Sequence, residues 1–292
     1  MKLFKIIPKS LLVCVLSFGA LFNTASANPV DPAEGGKGIL VSQTVSNEYD
    51  SFKKIQSTSF EDLKAMGYTE EDIEYIKNFD YEASMQAKVN KLQKLDESVL
   101  ENAGYDEKQI TTIQNYSGTE EQLARASATL TLSTYRNGSS SSSTFSSITF
   151  STYYNWSSAP NFLLTDIVAV PWSEGMYLDN SNSNATISYV DLTTGAFIKT
   201  ANPTVVPNIN TGASIKFGLG YAINGTEAYA KSGNFNYRLT KNSKVTEVAI
   251  QPAYGHTFLS VGSPTVTYPG GLAVTFSYQV SKEAENYVYS AL

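Results

Sequence analysis

The chain has one cysteine, Cys14, and one histidine, His256, among 292 residues. Cys14 falls inside an N-terminal stretch with the marks of an export signal, so the mature protein is expected to carry no thiol and no disulfide. Stability must then come from a hydrophobic core. A zinc or iron centre needs several His or Cys ligands, and none is expected here. A Ser-His-Asp triad would have to use His256, and no G-x-S-x-G turn accompanies it. His256 is expected at a turn or strand end, where replacement by Ala costs less than about 1 kcal/mol. Phosphate-cradling glycine motifs and an EF-hand loop are also missing, so no cofactor is expected. The G-x-G of Phe217-Gly218-Leu219-Gly220-Tyr221 is read as a place of close backbone approach within a strand.

Long apolar runs are absent beyond Leu11–Phe22, which is too short to span a bilayer as a helix. That run follows Lys2, Lys5 and Lys9 and precedes Ala25-Ser26-Ala27. The order of parts is that of a secretory signal cleaved after Ala27, leaving Asn28 as the mature N-terminus and a secreted protein. A lipoprotein reading of Cys14 is disfavoured, because Leu12-Val13 precede it at the start of the apolar run.

Charge is scarce in one half and lopsided in the other. Residues 28–127 hold 19 acidic and 10 basic residues, whereas 128–292 hold 8 of each. Neither half offers the basic face needed to displace counterions from nucleic acid. Steering toward an anionic membrane is equally unsupported.

What is present divides the chain into parts. Residues 28–50, with Pro29, Pro32 and three glycines, read as a flexible leader. Residues 51–127 read as helical and contain a repeat with an offset of 37 positions: Leu63 to Phe79 aligns with Leu100 to Tyr116 without a gap. In each copy a glycine, Gly67 or Gly104, suits the left-handed position after a helix end. Thr69 and Asp106 then suit N-caps, with Asp72 and Gln109 three positions later to complete a reciprocal cap. Ile73, Ile76 and Phe79, like Ile110, Ile113 and Tyr116, share one helical face. Met85, Val89, Leu92 and Leu95 continue an apolar stripe between the copies. Two copies are too few for a solenoid, so a small acidic helical segment, detachable or accessory, is expected. Arg125 offers a protease site at its end.

From Ala128 the periodicity changes to alternation. Leu130 and Leu132, Ile215 to Tyr221, and Leu272 to Val280 each alternate apolar and polar positions. Asn137-Gly138, Thr194-Gly195, Asn224-Gly225, Lys241-Asn242-Ser243 and Pro269-Gly270-Gly271 supply turn signals between such runs, and Ser139–Ser143 reads as a hairpin tip. About ten short strands point to a mainly β fold, an antiparallel sandwich or jelly roll over 128–292, expected to fold without the helices.

For function, aromatic residues near turns are the strongest pointer. Tyr153, Trp156, Trp172 and Tyr177, with Glu174 beside them, fit a binding surface on which rings stack against sugar faces while polar groups fix hydroxyls. The leading expectation is a non-catalytic module that binds a glycan or cell-surface ligand. One alternative is a pore-forming or bacteriocin-like toxin, whose membrane contact would run through an amphipathic hairpin around residues 130–154. A third is a glycoside hydrolase using paired carboxylates. Asp166 stands out there, inside the apolar run Phe162 to Val170, and is expected to face solvent or cap a loop. Oligomeric state is left open.

Overall fold

The protein is described by a computed structural model over residues 38–292, apart from 209–210, 224, 260–263, 270–271 and 278–279. The expected signal, with its Ala27 cleavage site, and the leader up to Lys37 lie outside the described residues.

Strand β1 (Ile39–Asn47) comes first, followed by α1 (Glu48–Ser57), α2 (Phe60–Ala65), α3 (Glu70–Asn78), α4 (Tyr81–Leu92), α5 (Glu97–Asn102), α6 (Glu107–Gln114) and α7 (Glu120–Ala126). The helical segment thus precedes the sheets, with one strand ahead of it. That strand corrects the leader: β1 pairs antiparallel with the next strand, interrupted by a bulge at Val41, and Thr44 and Ser46 alternate inward opposite Leu132 and Leu130.

The repeat folds as its residues dictate. Gly67 and Gly104 adopt φ of +97° and +96°, the left-handed conformation that glycine takes without a Cβ penalty. Thr69 with Asp72, and Asp106 with Gln109, each form the two reciprocal bonds of a capping box. Capping of this kind contributes about 1 kcal/mol per helix. Ile73, Ile76, Ile110 and Ile113 are buried, as are Met85 and Val89 between the copies.

A long hairpin follows, β2 (Thr129–Ser141) and β3 (Ser146–Trp156). After it come β4 (Thr165–Pro171), β5 (Tyr177–Leu178), β6 (Asn184–Asp191), β7 (Phe197–Ala201), β8 (Val206–Asn208), β9 (Gly212–Gly218), β10 (Gly220–Ile223) and β11 (Thr226–Lys241). The C-terminal part adds β12 (Glu247–Ile250), β13 (Ala253–Thr257), β14 (Val266–Thr267), β15 (Thr275–Phe276), β16 (Val280–Glu285) and β17 (Val288–Ala291).

One eight-stranded sheet runs β1-β2-β3-β11-β6-β7, with β5 and β10 joined to β11; a five-stranded sheet runs β16-β13-β4-β9-β8. The pairings are antiparallel, and the two sheets pack as a sandwich. Leu132, Phe150, Ile187, Phe235 and Tyr237 from the first meet Val168, Val170, Ile215 and Tyr254 from the second in one buried cluster. Each such side chain contributes about 1.5–3 kcal/mol when fully buried. The far face of the five-stranded sheet is covered by the β14–β15 hairpin, where Val266, Tyr268 and Phe276 pack on Ile167, Ala169 and Val274.

Three expectations shift in detail. The run Ile215 to Tyr221 is two strands, because the chain crosses from the second sheet to the first at Leu219. Gly220 permits the crossing: a Cβ there would come within 2.8 Å of the Leu163 carbonyl oxygen. Leu272 to Val280 is likewise not one strand but the separate β15 and the start of β16. Asn137-Gly138 lies inside β2 at a register shift rather than at a turn.

The helices are not a free appendage. Their core includes Phe258 and Leu259 from the end of β13 onward, with Phe162 packed against it. Phe52, Tyr81 and Phe162 stack at centroid distances of 4.6 and 5.6 Å, and Phe52 meets Phe258 edge-on at 5.7 Å. The second repeat copy presses closest to the sandwich, since a Cβ on Gly104 would fall on the Ser157 carbonyl oxygen. The two ends of the helical block meet: the Glu48 N–H donates to the Ala128 carbonyl at 3.1 Å.

Candidate functional site

Two polar regions stand out. The first is buried where the helices meet the sandwich. Asp166 alternates with Val168 and Val170 along β4, so its carboxylate points into the sandwich rather than to solvent, correcting the expectation for it. Burying an unpaired carboxylate there would be very costly. Its partners are supplied by β13: Tyr254 Oη donates at 2.6 Å, His256 Nδ1 lies at 2.9 Å, and the Thr257 N–H donates at 3.0 Å. The other imidazole nitrogen, Nε2, faces Glu48 at 3.4 Å. Glu48, in the first turn of α1, also accepts from the N–H groups of Asn161 and Phe162 at 2.7 and 3.1 Å.

With a carboxylate at each nitrogen, His256 is best served by carrying both protons. Burial opposes that charge, but Asp166 and Glu48 outweigh it and hold the imidazole well above its ordinary pKa. For Glu48 burial again works against the charge, while His256, the nearby Lys88 and the Asn161 N–H bring its pKa below the usual value. A third acid, Glu283 on β16, is pushed up to about 7 by burial and by its like-charged neighbours Glu48 and Asp166, against the pull of His256 and Ser51. His256 therefore carries its charge between Asp166 and Glu48, with Lys88 near Glu48 and Glu283 close by as a third acid. All of Glu48, Asp166, His256 and Glu283 are buried. No sugar ring reaches between these carboxyl groups, and the cluster serves to lock α1 to the sandwich. His256 does lie on a strand, but as a buried keystone rather than a peripheral residue.

The second region is the outer face of the eight-stranded sheet. Strand alternation sends Leu132, Phe150 and Tyr237 inward and their neighbours outward. One outward row is Gln43, Ser133, Tyr153, Asn234 and Thr186; the next is Tyr135, Ser151, Asn236 and Asn184. Amide and hydroxyl groups link these strands sideways. Asn137 donates to Ser151, Ser151 to Asn236, and Asn236 to Asn184 at 3.2 Å, crossing four strands. Gln43 donates to Ser133 at 2.9 Å, and Ser140 and Ser147 pair at 3.0 Å. A shallow groove of about 410 Å³ opens beside the ladder, lined by Ser140, Thr149, Asn182 and Arg238. Arg238 follows in the next row, opposite Thr149 and 3.8 Å from Asp179.

The residues singled out from sequence divide between core and surface. Trp156 is fully buried, and its indole N–H donates to Tyr254 Oη at 3.1 Å. Trp172 is 3% exposed, with its indole N–H on the Met176 carbonyl at 2.7 Å. Neither indole presents a ring to a ligand: Trp156 alternates inward with Phe150 and Tyr154 along β3, and Trp172 joins the same core just after β4. Tyr153 is half-buried in the middle of the outer face. Tyr177 is 54% exposed and sits opposite Thr240 on that same face, near the groove end. Glu174 is exposed in a turn with φ of +67°. Sequence reasoning missed Glu48, counted Glu283 only as one of the carboxylates of the β region, and missed the Asn/Ser ladder, whose one visible trace was the polar alternation of β3 and β11.

No family model matches the chain, and no curated protein matches it. Among solved structures it is similar to the collagen-binding subdomain of the Enterococcus faecalis surface protein ACE, at 8% identity and a TM-score of 0.29 over 55% of this chain and 96% of that one. A collagen-binding domain from a Staphylococcus aureus adhesin gives 8% identity and a TM-score of 0.26 over 54% and 93%. A pore-forming protein gives 11% and 0.21 over 56% and 78%. Likenesses at this level carry no argument about ligand or activity.

Proposed function

We propose that the protein is a secreted, non-catalytic binding module that holds a neutral, polyhydroxylated ligand, a glycan, on the outer face of its eight-stranded sheet. The cross-strand ladder of Asn137, Ser151, Asn236 and Asn184 carries this reading. Side-chain amides and hydroxyls both donate and accept, as sugar hydroxyls do, and a face held by its own sideways bonds is preorganised to offer them. Tyr153 and Tyr177 add rings on which the apolar face of a sugar can rest. A cluster of charges would instead favour an ionic ligand, and the outer rows hold little charge.

The alternatives find less support. The β2–β3 hairpin is flanked by β1 and β11, and its apolar side is part of the sandwich core, so inserting it into a membrane would dismantle the sheet. The carboxyl groups gathered by the fold are buried, and Asp166 and Glu48 are both held by His256, which does not suit hydrolysis of a bound sugar.

Retention on insoluble polysaccharides and on a glycan array tests the proposal. Tyr153→Ala and Asn236→Ala should each weaken retention about tenfold, equivalent to about 1.4 kcal/mol, with the urea transition little changed. Failure of the unaltered protein to bind any glycan, or binding indifferent to both substitutions, would overturn it.

A further inference from the structure

The two main sheets end in four edge strands, and three of them carry charge or proline that discourages pairing with another chain. β7 has Lys199, β8 has Pro207, and β16 has Lys282 and Glu285. β1 has neither, and its one irregularity is a bulge at Val41. Its sequence Ile39-Leu-Val-Ser-Gln-Thr-Val-Ser-Asn47 contains no charge and no proline over nine residues, and Ile39, Leu40 and Val45 are 69%, 49% and 60% exposed. Among the described residues, no strand pairs with its outer side. The ten residues before Gly38, Asn28 to Lys37, hold Pro29, Pro32, Gly35 and Gly36 in sequence and make a poor strand partner for it.

We propose that β1 is the seam of a two-fold homodimer in which β1 of one copy pairs antiparallel with β1 of another. Overlap centred on Gln43 sets the bulged Val41 of each copy opposite Val45 of its partner, so exposed aliphatic groups cover one another and the open backbone groups of the regular stretch Ser42 to Asn47 find partners. The eight-stranded sheets then continue into each other. Their outer faces lie side by side, and a polymer that crosses the seam engages two copies at once, which raises avidity without a new contact. The dimer itself does not depend on what the face binds.

Sedimentation of the secreted chain over the micromolar range should give twice the mass of one copy. The Val41→Lys/Val45→Lys variant should sediment as a monomer with an unchanged far-UV spectrum, because lysine on an edge blocks pairing. Gln43→Cys should form a disulfide-linked dimer on oxidation, readable on a non-reducing gel because the mature chain is expected to hold no other thiol; this readout stands even where the lysine variant fails to fold. A monomer throughout the range would overturn the proposal. So would a dimer that survives both lysines while Gln43→Cys does not cross-link.

Discussion

The two polar regions of the molecule make a useful contrast. At the junction between helices and sandwich, ionised groups are buried and each is matched: His256 to Asp166 and Glu48, and Glu48 in turn to backbone N–H groups. On the outer sheet face, neutral amides and hydroxyls bond sideways to their own kind, with Ser133, Ser151 and Asn234 buried beneath their neighbours and Asn236 and Asn184 reached by water. Removing one member of a buried ion cluster strands the others in a medium that cannot solvate them. Removing an exposed member of the neutral ladder, such as Asn184, leaves a partner, Asn236, that water can reach. The difference teaches where each set acts: the buried charges fix architecture, and the neutral face remains available for recognition.

The sharpest way to break this contrast is to remove the helices. Fragment 128–292 lacks β1 and Glu48, and it uncovers Phe162 and Phe258. The helices should therefore prove integral rather than detachable, so the fragment should show no cooperative urea transition. A chain cut after Arg125 should stay in one piece on gel filtration, since β1 holds the cut segment to the sheet. A fragment that unfolds cooperatively with native near-UV signals would restore the helices to the status of an accessory part.

A single substitution comes next. Asp166→Ala leaves His256 and Tyr254 without their shared acceptor and should cost about 3–5 kcal/mol in urea denaturation. His256→Ala belongs to the same class, well above the figure expected for a peripheral histidine. A loss below about 1 kcal/mol in both would show that the cluster is not structural.

The smallest of the three effects is a pH dependence. Glu283 titrates near 7 in the folded protein against 4.5 for the ordinary group, so the folded state binds the extra proton within that window. Stability should accordingly rise as pH falls from above 7 toward 4.5, by about 3 kcal/mol from this group. Glu48 acts oppositely: its lowered pKa gives stability that is present above 4.5 and lost as pH falls below it. His256, raised well above 6.5, adds stability that is complete below 6.5 and lost as pH climbs through its folded value. The optimum should fall in the mildly acidic range, and Glu283→Gln should flatten the slope between 4.5 and 7. An unchanged slope in that variant would remove Glu283 as its cause.

Local chemistry was legible in the sequence, and distant pairing was not. The glycines, caps and isoleucine faces of the repeat lie within a few residues of one another, and each takes the conformation its neighbours require. The alternation of β2 and the tip before Phe145 were legible for the same reason. The odd features of the junction were visible singly: a lone histidine, and an acid in an apolar run. Their match was hidden because Glu48, Asp166 and His256 come from three elements far apart in the chain. β1 was missed because Ile39 to Asn47 follows a proline- and glycine-rich stretch and has weak alternation, while its partner β2 begins only after the helices. The indoles of Trp156 and Trp172 were misplaced for a related reason, since exposure is set by the opposing sheet and not by the flanking turn residues.

The hydrogen bond from Glu48 N–H to the Ala128 carbonyl has a consequence for the way two distant strands are joined. β1 and β2 are neighbours in the sheet but are made well apart, with every helix emerging between them. Bringing such distant strands together from an unfolded state carries a closure cost that grows slowly with loop length. Here the helices hold residues 48 and 128 side by side. The helical block thus stands where a hairpin turn would, setting β1 beside β2 at the edge of the sheet although the two strands are distant in sequence.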